Sequence, residues 1–158
     1  MDAEDLITQA KGTSPNIKEL LDLVKPFQSS HETLSSLHDD LDVLKQVVKT
    51  LQEDKDGFLS HNAKYQPKLL EECHHLLKGS KIICSELYGE FKGAMQQSAI
   101  WSGVNQHEIQ NNVLRNTPIL VGLRIWILRL DLTVKFMQFL AQTYSGKHDW
   151  KVQTRIAV

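Results

Sequence analysis

Arg129 is the residue of this chain best placed to do chemistry. It falls within Ile119 to Leu140, ILVGLRIWILRLDLTVKFMQFL. At about 100° per residue it sits amid Ile125, Trp126, Leu132, Phe136, Met137 and Leu140. A guanidinium keeps its charge, so on a buried face it needs a partner anion, an aromatic face or a water-lined cavity. Three arrangements meet that need. The first is a structural pair with a helix acid such as Glu72, Glu86 or Glu90. The second is a subunit or partner interface, where Arg and Trp are enriched. The third is a cavity in which Arg129 meets a carboxylate or carbonyl of an apolar ligand, with Trp126, Phe136 and Met137 as its wall. Asn112 and Arg115 on the preceding helix, with Tyr88 and Trp101, add hydrogen-bonding groups to such a space. Thr133 is counted with the ligand-facing residues, although a helix tolerates it without that role.

The remaining chemistry is sparse. The chain has no HExxH, CxxC, GxSxG or Gly-rich phosphate loop. Adjacent His74 and His75 point about 100° apart on a helix and cannot chelate one metal together. Cys73 and Cys84 are separated by about 16 Å along one helix, too far for a bridge within it, and read as reduced core thiols. No metal and no cofactor are expected.

The totals are those of one globular domain. The chain has 158 residues, 41% hydrophobic and 23% charged, with a formal charge of -1. That balance lacks the basic footprint of a nucleic-acid binder. The opening MDAEDLITQAKG is neither a secretory signal nor a transit peptide, so a cytoplasmic location is expected. Ile119 to Leu140 resembles a membrane span until Arg124, Arg129, Asp131 and Lys135 are counted. Charges at a bilayer centre cost about 2.5 to 3.5 kcal/mol each on an insertion scale, so no transmembrane segment is expected.

The elements that must position Arg129 are helical, because no period-two run of β-branched residues appears. The expected fold class is all-α, a single antiparallel bundle of about five or six helices over residues 1–146, with an apolar C-terminal helix at its centre and a tail over 147–158. A short helix is expected from Ala3 to Lys11, broken at Gly12 and Thr13, with Ser14 and Pro15 opening a second that runs to about Phe27. The next spans His31 to about Asp54, where Leu34, Leu37, Leu41, Leu44, Val48 and Leu51 recur at steps of three and four. Lys55 to Asn62, KDGFLSHN, reads as a loop. Leu69, Cys73, Leu76, Ile83 and Leu87 restart a seam, softly interrupted at Gly79 and Ser80, and the chain reads as less regular over Phe91 to Val104. Asn105 and Glu108 form a capping signature for a helix beginning near Gln106. Pro118 kinks or restarts it. The apolar helix then runs to about Tyr144, with Arg124, Asp131, Lys135, Gln138 and Gln142 as its solvated stripe.

The segments HETLSSLHDDLDVLKQVVKTLQ, LLEECHHLLKGSKIICSEL and IWSGVNQHEIQNNVLRNTPILVGL together resemble the fungal N-terminal domain of STAND-type proteins, a family also named after an azaphilone pigment biosynthesis cluster protein. The resemblance covers about Asp5 to Leu128. It implies a helical domain that mediates protein interaction ahead of a nucleotide-binding signalling module. This chain itself contains no GxxxxGK phosphate loop and no repeat array, and reads as a free-standing copy of that domain.

Two functional readings follow. In the first, the bundle belongs to fungal secondary metabolism. It binds a hydrophobic small-molecule precursor and promotes its cyclisation or cycloaddition without a cofactor, because holding reacting carbons in near-attack geometry lowers a barrier by itself. Arg129 is then the catalytic hydrogen-bond donor. In the second, the bundle is a non-catalytic interaction or oligomerisation module, with a homodimer through the C-terminal helix as one form.

Overall fold

The computed structural model describes residues 1–29, 31–100 and 106–145. Every regular element among them is helical. Six α-helices follow one another: α1 Ala3–Val24, α2 Glu32–Glu53, α3 Phe58–Tyr65, α4 Pro67–Ile100, α5 Gln106–Arg115 and α6 Thr117–Ser145, with 3₁₀ turns at Lys25–Phe27 and Lys55–Gly57. The all-α bundle expected from periodicity is the observed fold. Trp101, the residues around Gly103 and the stretch over 147–158 lie outside the described residues.

α1 opens on a reciprocal cap: Asp5 N–H donates to Asp2 Oδ1 at 2.8 Å, and Asp2 N–H donates to Asp5 Oδ2 at 3.1 Å. The break expected at Gly12 and Thr13 does not occur, and α1 passes through Pro15. One buried row, Ala3, Leu6, Ala10, Thr13, Ile17, Leu20 and Val24, keeps its spacing across the whole helix. Packing of that row outweighs the one donor that Pro15 removes. Thr13 belongs inside because its Oγ1 donates to Gln9 O at 2.8 Å.

The seam expected in α2 is buried as read, with Val47 added. The stretch expected as a loop is not one. Asp54 and Asp56, with φ of 42° and 64°, turn the chain through left-handed geometry, which aspartate tolerates better than most side chains. Asp54 Oδ1 then accepts from Leu59 N–H at 2.9 Å and steadies the start of α3. Phe58 and Leu59 are buried, and apolar anchoring overrides the Gly, Ser and Asn content of this segment. α4 also exceeds the expected length, continuing without interruption through Gly79, Ser80 and Phe91. Ser80 Oγ donates to Leu76 O at 2.8 Å, so its hydroxyl is satisfied inside the core. α5 starts at Gln106 as its capping signal implies, and the chain restarts as α6 next to Pro118.

α1 packs on α2 and α4, and α6 packs on the same two. Side-chain registers give the directions. Gln9 Nε2 donates to His74 O at 3.1 Å and Asn16 Nδ2 to Ser85 Oγ at 2.7 Å, so α1 and α4 run parallel. Glu72 meets Arg129 and Gly79 meets Trp126, so α4 and α6 run antiparallel. The path is therefore up, down, up, down, with α3 carrying the chain diagonally from α2 to α4. Asn62, buried on α3, fixes that crossing by donating from Nδ2 to Phe58 O at 2.7 Å and to Met137 O at 2.9 Å.

Candidate functional site

α6 carries apolar residues on two opposite faces. One face, Leu120, Leu123, Ile127, Leu130, Val134 and Met137, is buried in the core. The other, Val121, Ile125, Leu128, Leu132, Phe136 and Phe139, stands outward, each side chain between 49% and 66% exposed. Both sets step by three and four, so each forms a continuous stripe on a 3.6-residue helix. Leu114 on α5 is likewise exposed. No helix among the described residues is long and apolar enough to cross a membrane.

Charge frames the outward stripe. Arg124 Nε meets Asp40 Oδ2 of α2 at 3.1 Å on one flank, where Lys135 Nζ also donates to Asp131 Oδ2 at 2.8 Å. On the other flank Arg129 Nη2 donates to Glu72 Oε1 of α4 at 2.5 Å. Each α6 cation beside the stripe thus has its own carboxylate. The pairing considered first for Arg129 is present, with Glu72 as the acid. It is a solvated pair, the side chains 57% and 39% exposed.

The other residues singled out with Arg129 fall into separate neighbourhoods. Met137 is in the core, whereas Phe136 points outward on the next step of the helix. Trp126 is partly buried against α4, lying over Gly79 with its ring 5.3 Å from the His75 ring. Thr133 Oγ1 donates to Arg129 O at 2.8 Å, the ordinary bond of a helical threonine. At the far end of α4, Arg115 pairs with Asn112 and lies 3.8 Å from Glu90, while Lys92 Nζ stands 5.6 Å from the Tyr88 ring. Glu72 and Glu90, the two acids that hold Arg129 and Arg115, are about 27 Å apart along one helix at about 1.5 Å per residue. The expected donors therefore do not converge on one space. Trp101 lies outside the described residues.

Surface clefts among the described residues include the following three. One of about 230 Å³ runs between α2 and α6 past Leu37, Asp40, Leu120 and Arg124. One of about 560 Å³ lies where Phe58 and His61 face Gln138 and Gln142. The third, about 370 Å³, separates α1 from α2 beside Ile17, His38 and Lys45. None of the three is lined by Arg129, Trp126, Phe136 or Thr133.

Nucleophiles and metal ligands are no better placed. Cys73 and Cys84 are buried, and burial pushes both thiols up to about 12, with Glu72 adding to the effect on Cys73. Such thiols are inert. His74 faces α1, its Nδ1 2.7 Å from Gln9 Oε1, whereas His75 faces Trp126 of α6, as adjacency on a helix requires. His38, Asp39 and Asp42 bring three donor atoms within 4.8 Å. Their spacing on α2 is that of an ordinary helix-surface pair.

The residues that sequence reasoning passed over are Val121, Leu128 and Phe139. Their signal was present: removing the core row from α6 leaves a second row at the same periodicity. The sequence shows α6 to be apolar on several sides and leaves open whether each side meets a core, a cavity or an interface. No family model, no curated protein and no solved structure matches the chain.

Proposed function

We propose that the protein is a non-catalytic docking module whose outward α6 face seats against a protein surface. One observation carries this reading: six large apolar side chains, aligned over the length of one helix, stand half-exposed or more among the described residues. With Leu114 they offer an apolar area on the order of 600 Å², at the upper end for a monomer's largest patch and approaching the roughly 800 Å² per partner of a standard interface. The small-molecule reading needs Arg129 and its companions around one enclosed space. Arg129 is instead solvated and bonded to Glu72, which favours interaction over catalysis. The resemblance to the N-terminal domain of STAND-type proteins implies the same role.

The test is site-specific photocrosslinking in the cell. A photoreactive phenylalanine at Leu128 should give a defined protein adduct that a second change, Leu132→Glu, removes. The same group at Lys18, exposed on α1, should give none. Equal background at the two positions would reject the docking reading.

A further inference from the structure

We infer that α3 and the turn before it form a strap that releases from the bundle as a unit while α1, α2, α4 and α6 stay packed. Its release is independent of what the outward α6 face binds. Three defects of the closed state are gathered in this one segment. The first is in the backbone. Asp54, Asp56 and Gly57 hold φ of 42°, 64° and 66°, so three of four consecutive residues sit in the left-handed region, where a side chain with a Cβ is strained. The second is polar. Asn62 is fully buried and donates from Nδ2 to the carbonyls of Phe58 and Met137, yet its Oδ1 accepts no hydrogen bond. Water would satisfy that oxygen in the open state. Thr13, Ser80 and Asn116, buried elsewhere, carry no such orphan, and each donates to a carbonyl one turn earlier. The third is in packing. A cleft of about 560 Å³ separates Phe58 and His61 from Gln138 and Ala141 of α6, so part of the strap faces open space and forfeits the contacts a filled interface would make.

What holds the strap down is slight. A helix of eight residues has little stability of its own. Its buried residues are Phe58, Leu59 and Asn62, whereas the buried rows of α1 and α2 run the length of their helices. Asp54 Oδ1 accepts from Leu59 N–H at 2.9 Å and ties the turn to the helix, so the two move together. Strain and orphaned polar groups collect where a fold has a second arrangement to reach, and the least anchored element opens first. Release takes Phe58 and Leu59 out of the core. The neighbouring cleft then extends into the seat they leave, an apolar recess present only in the open state.

Native-state hydrogen exchange of the full chain, in urea below its unfolding transition, tests the strap. Amides of residues 62–66 should exchange at least about 100-fold faster than the slowest amides of α1 and α4, at one common rate and with a shallow urea dependence, because their opening exposes little surface. Leu37 lies beside Leu120, some 25 Å along α6 from Met137 at about 1.5 Å per residue. Leu37→Ala should therefore speed the slow amides of α1 and α4 and leave those of α3 unchanged. Leu37→Val serves if the alanine variant does not fold. Gly57→Ala places a Cβ at a φ of 66° with nothing within 4 Å to meet it, so it acts through backbone strain alone. It should speed α3 exchange about fivefold or more. A rate and urea slope shared with α1, or acceleration of α3 by the Leu37 variant, would overturn the strap, since α3 would then unfold only with the whole bundle. Rates that differ from one α3 amide to the next, with no urea dependence, would overturn it as mere fraying. An unchanged α3 rate in Gly57→Ala would overturn the part assigned to the turn.

Discussion

Trp126 lies so close over Gly79 that a methyl group on the glycine would stand 2.1 Å from Cζ3 of the ring. Alanine is ordinarily worth about 1 kcal/mol over glycine inside a helix. Here the ring must move off α4, and overpacking of that kind costs about 1 to 3 kcal/mol. Gly79→Ala should therefore destabilise the chain in urea titrations. In a Trp126→Leu background the same change should become stabilising. A gain in stability with Trp126 present would mean that the ring is not seated on α4.

Arg129→Leu should leave the fold nearly unchanged. The pair with Glu72 is solvated, and exposed ion pairs contribute about 0 to 1 kcal/mol. Because the change adds apolar area beside the outward stripe, the protein adduct formed through Leu128 should hold or strengthen. A loss of several kcal/mol in urea would reveal a buried, structural pair instead.

Periodicity made the bundle legible wherever a helix has one apolar face. Leu34 through Leu51 of α2 are buried where their spacing put them. Three features escaped for separate physical reasons. Pro15 looked like a helix start because proline is tolerated there, yet a mid-helix proline forfeits one bond that the buried row through Thr13 and Ile17 outweighs. α3 looked like a loop because its polar content hid Phe58 and Leu59, whose burial depends on contacts distant in sequence. The double face of α6 escaped because hydropathy reports how apolar a position is and not whether the fold supplies a wall for it. Arg129 was singled out for lying among apolar neighbours. Half of those neighbours turn out to face solvent, which removes the reason for it to need a cavity.

Asn62 joins α3 to α6 through its bond to Met137 O. A net bond is worth about 0.5 to 1.5 kcal/mol, and Asn62→Ala loses two together with some packing. The expected cost is about 1 to 3 kcal/mol. Hydrogen exchange should show the effect first in α3, whose amides open while those of α1 keep their protection. Uniform loss of protection across the bundle would mean that α3 is an integral part of the cooperative core.

Pro15→Ala should stabilise the chain. Pro15 is exposed within α1 and offers no N–H to the carbonyl one turn earlier, that of Lys11. Alanine restores that bond and removes the ring clash, a gain of about 3 kcal/mol, of which the freer unfolded chain returns up to about 1 kcal/mol. A net rise of about 2 kcal/mol in urea titrations is expected. No change would imply that α1 is already bent in a way that the buried row, and not the proline, dictates.

The two buried thiols give stability a pH dependence whose sign is fixed. The ordinary thiol value of 9.0 is raised to about 12 for both Cys73 and Cys84, chiefly by burial. The folded chain therefore holds these protons at a pH where the unfolded chain has released them. Their contribution is fully present below pH 9.0 and is lost as pH rises from there towards about 12. Lysines and tyrosines also titrate in this range, so the comparison is with the double variant Cys73→Ala with Cys84→Ala. Between about pH 8 and about pH 10 the native chain should lose more stability than that variant. Its thiols should stay silent towards a disulfide reagent until urea unfolds the bundle. Rapid modification under native conditions would show that α4 opens locally around these residues.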